Sequence, residues 1–206
     1  MPFALVMPTV ARVTPRDLRQ AAVLLADGLR YQPLARWLVP DDAHREDILD
    51  AHARIITEHA LTYGHVDMLS DSSGVAVWFD RTTPLPRPWE HRRRFRKAHG
   101  RHREAFALAD ALAAYHQPRL PHHHLAMLAV TPALRGTGRG SLLLDAHHRT
   151  LDAAGLPAYV DVDTGTAAAW LARRGYLTRP TYTVQTGLTR HPLLRHPSAG
   201  AASAAA

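Results

Sequence analysis

No cysteine occurs in the 206 residues. That absence excludes disulfides, thiolate metal sites and a covalent acyl-cysteine intermediate. No apolar run approaches the ~18 residues of a membrane span. The segment Met1 to Val10 is apolar but lacks a basic n-region and a small-residue cleavage site, so it reads as a leader arm and not a signal peptide. A cytoplasmic protein is the expectation. Acid is in short supply: 18 Asp and Glu face 25 Lys and Arg, a net charge of +7. This balance suits an anionic partner. The surplus is uneven, since His91 to Arg103 holds seven Arg/Lys and no acid. A solvated helix face is the plainer reading of that run, with Trp89, Phe95 and Phe106 inward, and nucleic acid is not the expected partner.

What is present is an ordinary globular chain, 46% hydrophobic and 21% charged. One domain is expected over 1–196, followed by a disordered Ala/Ser-rich tail over 197–206. Val10 to Val13 reads as a strand. Thr14-Pro15 then opens a helix carrying Leu18, Ala21, Ala22, Leu25 and Leu29. Gly28 and Gln32-Pro33 end or break it. A short helix over Leu34 to Val39 precedes a longer one over Ala43 to Thr62, capped by Asp41-Asp42. His65 to Leu69 and Val75 to Phe79 alternate as strands about a polar turn. Two helices follow, Trp89 to His99 and His102 to His116. Then come a strand over His123 to Val130, a helix to Ala154, a strand over Ala158 to Asp163 and a helix over Ala167 to Arg174. A hairpin of Tyr176 to Val184 and Leu188 to Leu194 closes the domain.

Between the fourth strand and its helix lies Arg135-Gly136-Thr137-Gly138-Arg139-Gly140-Ser141. Alternate glycines let successive backbone N–H groups converge, and the helix start adds partial positive charge, which suits an anion. The spacing fits neither a P-loop nor a dinucleotide fingerprint. Val130-x-Pro-x-x-Arg-Gly-x-Gly-x-Gly-Ser-x-Leu-Leu resembles the acetyl-CoA motif of the GNAT acetyltransferase superfamily. Its core, Gln/Arg-x-x-Gly-x-Gly/Ala, falls on Arg135, Gly138 and Gly140. His122-His123-His124-Leu125 before it, and Ala153 to Tyr159 after it, look like members similar to puromycin N-acetyltransferase. The resemblance runs from about Thr14 to Pro192 and is loose between Arg87 and Pro121.

The resemblance implies an α/β (α+β) fold: a mixed, mainly antiparallel sheet of about seven strands, helices on both faces, and a splay between strands four and five. It implies acetyl-CoA as cosubstrate and direct transfer to a small amine in a ternary complex. An amino-sugar or aminonucleoside antibiotic is the suggested acceptor, hence a resistance role. Coenzyme A would meet Leu128, Ala129, Val130, Arg135, Gly136, Thr137, Gly138, Arg139, Gly140, Ser141 and Trp170. A free N–H at Leu128 would polarise the thioester carbonyl. Arg139 would add charge or point to solvent, and both remain open.

Tyr31, Trp37, Asp41, His123 and Asp161 are the expected acceptor contacts. Asp161, with Tyr159 on the same face of its strand, is the expected base or ammonium binder. Catalysis is thus assigned to Asp161, Leu128 and Tyr159. Adjacent strand residues point to opposite faces, so His122-His123-His124 cannot chelate one ion well, and no metal is expected. Two departures stand out. Ala167 replaces the usual Asn, and Leu171 replaces the Tyr that protonates the leaving thiolate. Ser141, Tyr159, Tyr182 or solvent would then serve. A weakly catalytic acyl-CoA-binding regulator and a tRNA-directed acetyltransferase are the alternative functions. The oligomer is left open, a homodimer included.

Overall fold

The computed structural model describes residues 7–86, 88–185 and 187–198. The elements run β1 (Val10–Arg12), α1 (Leu18–Leu29), α2 (Pro33–Leu38), α3 (Asp42–Tyr63), β2 (Gly64–Leu69), β3 (Gly74–Asp80), α4 (Trp89–His99) and α5 (Arg103–His116). They continue with β4 (His123–Val130), α6 (Arg139–Ala153), β5 (Ala158–Val162), α7 (Gly165–Ala172), β6 (Leu177–Thr178), β7 (Tyr182–Gln185) and β8 (Leu188–Arg195). The sheet order is β1-β2-β3-β4-β5-β8-β6, with β7 also paired to β8. All pairs are antiparallel except β4 with β5.

Several local expectations shift. Thr14 does not cap α1; its N–H and hydroxyl both donate to Asp17, and the helix begins one residue beyond Asp17. Gly28 lies inside α1. A Cβ there would sit 2.5 Å from the Ala129 Cβ, so glycine lets the helix cross β4 closely. The first arm of the closing hairpin divides into β6 and β7 around Pro180, which has no N–H to give the ladder. Trp89 is exposed, not inward, with the Arg93 guanidinium over its ring. Ser198, in the expected tail, donates its N–H to Asp152. Residues 1–6 of the expected leader arm and 199–206 of the tail lie outside the described residues.

Each face of the sheet carries its own core. On one, Leu143, Leu144 and Leu151 of α6 and Leu171 of α7 pack on Ala76, Trp78, Leu125 and Val160. On the other, Ala21, Leu25 and Ala26 of α1 and Ala53 and Ala60 of α3 pack on Val66, Val75, Val77, Phe79 and Ala129. Strand β3 is therefore buried on both faces.

β4 and β5 pair only over His123 to Leu125 and Ala158 to Val160. Beyond those residues the two strands part. The register between β3 and β4 slips at this point, because Val77 pairs Met127 while Trp78 pairs Leu125. Ala126 is the extra residue of a bulge, the device that bends a strand away from its neighbour.

Candidate active site

Hydrogen-bond alternation decides which β4 groups enter the gap. Thr131 donates its N–H to the Ser73 carbonyl. In an antiparallel ladder, bonded and non-bonded pairs alternate. Ala129 and Met127, opposite Val75 and Val77, therefore turn their backbone groups toward β3. Leu128 and Val130 turn theirs toward the space that β5 has left. The Val130 carbonyl accepts from the Arg135 Nε at 3.2 Å, which confirms the direction. Ala129 is thus removed from the expected coenzyme A contacts: its backbone belongs to β3 and its side chain packs on Gly28.

The glycine turn continues straight from this edge. Gly136 and Gly138 have φ of +79° and +88°, a region costly for residues with a Cβ. Gly138 is the N-cap of α6, and no side chain caps the helix. The space over Gly136 is open, and Met7 Cε at 3.9 Å is the neighbour of a Cβ at Gly138. Gly140 admits Trp170, whose ring would lie 3.3 Å from a Cβ there. Arg174 in turn stacks over Trp170 at 4.2 Å and reaches the Ser141 hydroxyl.

Arg139 follows neither open alternative. Its buried guanidinium holds Ser73 Oγ at 2.7 Å, Thr137 Oγ1 at 2.8 Å and Asp71 Oδ2 at 3.1 Å. It clamps the β2–β3 turn to the start of α6. The Thr137 hydroxyl also donates to the Leu134 carbonyl. Arg135 is exposed at the rim.

The expected acceptor contacts scatter. Asp41 caps α3 through the Ala43 N–H and binds His44 and Arg101; hydrogen bonds from His44 and Ala43 hold its carboxyl below the usual range. Tyr31 is exposed, and the Trp37 indole donates to Gln185. His123 faces the α6 side, with Nδ1 3.1 Å from His147 Nε2, so it does not approach the acceptor face. Asp161 is not a free carboxylate. It is buried, accepts from the Tyr182 hydroxyl, and sits 3.2 Å from the Arg190 Nε. Asp163 accepts from the Leu34 N–H at the start of α2.

Sequence reasoning missed His124. It shares a face with Tyr159, their rings 5.3 Å apart, at the closed end of the gap. Burial, with the charges of His122, Arg81 and Arg190, pushes its pKa down to about 3, so it is neutral at pH 7. Tyr159 is fully buried, and its hydroxyl has no hydrogen-bond partner among the described residues. Burial raises its pKa, keeping the hydroxyl protonated. The signal available in the sequence was alternation: if His123 faces α6, its two neighbours face the other way. Leu171 is 2% exposed in the α6–α7 core, and the Ala167 N–H is held by Thr164.

Among the described residues no group of His, Asp and Glu is arranged to hold a metal, and no helix is long and apolar enough to cross a membrane. On α4, Arg92, Arg93, Arg96 and Lys97 face solvent, while Phe95 and His99 pack with His52 and Phe106.

No protein-family model matches the chain. Solved structures do. A protein of Corynebacterium glutamicum described as histone acetyltransferase HPA2 and related acetyltransferase is 24% identical over 94% of this chain and 98% of its own, with a TM-score of 0.73. An agmatine N-acetyltransferase is 18% identical over 91% of this chain and 98% of its own, at 0.61. A polyamine N-acetyltransferase of Drosophila melanogaster, which forms N-acetylagmatine, is 17% identical over 91% and 99%, at 0.59. The chain shares their fold, the GNAT fold, including the parting of the parallel pair.

Proposed function

We propose that this protein transfers the acetyl group of acetyl-CoA to a small amine by direct attack. One observation carries the reading: the β4 edge freed by the bulge at Ala126 runs without interruption into an uncapped, glycine-built helix start. A long ligand with a polar amide arm at one end and phosphates at the other matches that sequence of groups. The phosphates meet the N–H groups from Gly136 to Ser141, where the dipole of α6 favours negative charge, with Arg135 at the rim. The arm lies along Leu128 and Val130 as an added strand would. When bound, acetyl-CoA supplies the activated acyl group.

The chain's own residues do the rest. The Leu128 N–H, free of the ladder and fixed by the strand, is the donor for charge that develops on a carbonyl oxygen. His124 is neutral and has no hydrogen-bond partner among the described residues, so it accepts a hydrogen bond from the amine and orients it, while the amine's proton leaves to solvent. Asp161, the expected base or ammonium binder, is ion-paired with Arg190 and accepts from Tyr182. Tyr159 holds a proton at its hydroxyl beside His124 and serves as a hydrogen-bond donor there, while solvent protonates the leaving thiolate in place of the tyrosine missing at Leu171. Ser141 and Tyr182 are engaged with Arg174 and Asp161, which disfavours them for that task. Positioning supplies the larger part of the rate.

A thiol-release assay against an amine panel tests the reading. Release that depends on both acetyl-CoA and an amine is the expected result. Acetyl-CoA binding with no amine-dependent release would instead favour the regulatory binder.

A further inference from the structure

We infer that the amine acetylated by this protein also carries an oxyanion, a carboxylate or a phosphate, and that Arg179 and Arg119 bind it. The inference rests on the acetyl-transfer reading and names the substrate class for the same site. Between the end of α5 and the β6–β8 edge lies a groove of about 320 Å³, lined by His116, Gln117, Arg119, Arg179 and Pro192 among others. That size suits a small molecule. The groove adjoins the closed end of the gap. Pro192 pairs with Asp161, the residue directly after the last β5 residue joined to β4. The His116 ring stacks on Tyr182 at 4.0 Å, and Tyr182 donates to that same Asp161.

Charge selects the ligand. No carboxylate among the described residues pairs with Arg119 or Arg179, whereas Arg190 beside them is neutralised by Asp161. Asp41, the other acid expected on this side, and Asp163 are spent on the starts of α3 and α2. A polyamine entering here would meet two unopposed guanidiniums. An oxyanion would meet planar donors suited to it. Arg179 is close enough for its charge to act on both His122 and Tyr159. Among the described residues His122 Nε2, Tyr159 Oη, Gln117 Oε1 and Asp161 Oδ1 are buried without hydrogen-bond partners, the last of them neutralised by the Arg190 Nε at 3.2 Å, so polar groups stand ready for a ligand beside the groove. A molecule anchored at Arg179 lies beside Pro192, the partner of Asp161 in the β5–β8 ladder.

The test uses matched amines that differ in one anionic group: O-phosphoethanolamine with ethanolamine, glucosamine 6-phosphate with glucosamine, and β-alanine with propylamine. Thiol release from acetyl-CoA gives kcat/KM for each, and calorimetry gives the affinity for acetyl-CoA and for the anionic amines in the presence of coenzyme A. The anionic member is expected to be favoured at least about 10-fold in the phosphate pairs or in the carboxylate pair, and the arm that responds identifies the group. Arg179→Gln should raise KM for it about 10- to 100-fold and erase the difference within the pair, with Arg179→Lys recovering part and acetyl-CoA affinity unchanged. Arg119→Gln should act in the same direction. Equal use of both members, preference for the uncharged ones or for putrescine, or no binding of any anionic amine would overturn the inference while leaving acetyl transfer in place. Failure to bind acetyl-CoA would overturn the acetyl-transfer reading itself.

Discussion

At the scale of single residues, function and packing separate cleanly. His124→Ala removes the neutral imidazole that faces Tyr159 and, under the proposed function, should raise KM for the amine about 10-fold, with acetyl-CoA affinity held, in parallel turnover and calorimetric measurements. Asp161→Asn belongs to a different class. It leaves the buried Arg190 guanidinium without its counter-ion, and removing one partner of a buried pair costs about 3 kcal/mol or more. Denaturant unfolding should show that loss, where a pure proton acceptor would show none. Gly28→Val should also cost about 2 kcal/mol in the same experiment, because the added carbon enters the volume of Ala129. Leu171 fills the α6–α7 core, so its part in this protein is packing. The ion pair of Asp161 was not legible because a carboxylate on a strand looks the same whether or not a distant arginine has claimed it. Arg190 lies 29 positions away on β8, and only the sheet order brings the two together.

At the scale of elements, the gap between β4 and β5 depends on one extra residue. Leu128 and Ala129 are neighbours with opposite backbone duties, and proline distinguishes them. Leu128→Pro removes an N–H that serves no ladder. It should lower kcat by about 10²- to 10³-fold in a variant that still folds, with a smaller loss of thermal midpoint than Ala129→Pro. Ala129→Pro removes a bond to Val75 in a strand buried on both sides and should prevent folding, as read by circular dichroism. Most element limits were legible: α5 stops before Pro118 and β4 before Thr131-Pro132. The glycine turn was legible too, since glycines that must adopt positive φ are written in the sequence. The bulge was not. Ala126 and Met127 are both small or flexible apolar residues, and nothing in Ala-Met-Leu-Ala marks where the count of two per turn of the pleat slips. Nor was the role of Arg139, whose partners Asp71 and Ser73 sit on another turn.

At the scale of the molecule, histidine burial sets the response to acid. His52, His124 and His148 are pushed down to about 3 and His99 and His123 to about 4, chiefly by burial, from an ordinary 6.5. The unfolded chain takes up these protons as pH falls through 6.5, while the folded chain does not. Their stabilising share is therefore complete above about pH 6.5 and is lost progressively toward pH 4, at about 1.4 kcal/mol per histidine per pH unit. The thermal midpoint should be flat from pH 7 to 8 and drop steeply from 6.5 to 5; a midpoint unchanged down to pH 5 would contradict this burial. Much of the surplus of +7 lies at the same scale on exposed basic side chains, those of α4 among them. Under the proposed function the uncapped start of α6 holds the phosphates of acetyl-CoA. Isothermal titration with acetyl-CoA tests it most directly: one molecule should bind per chain, and Gly138→Trp, which places a bulky side chain at the positive-φ cap of α6, should abolish the heat. No binding to the wild-type chain, or equal affinity in the variant, would contradict it.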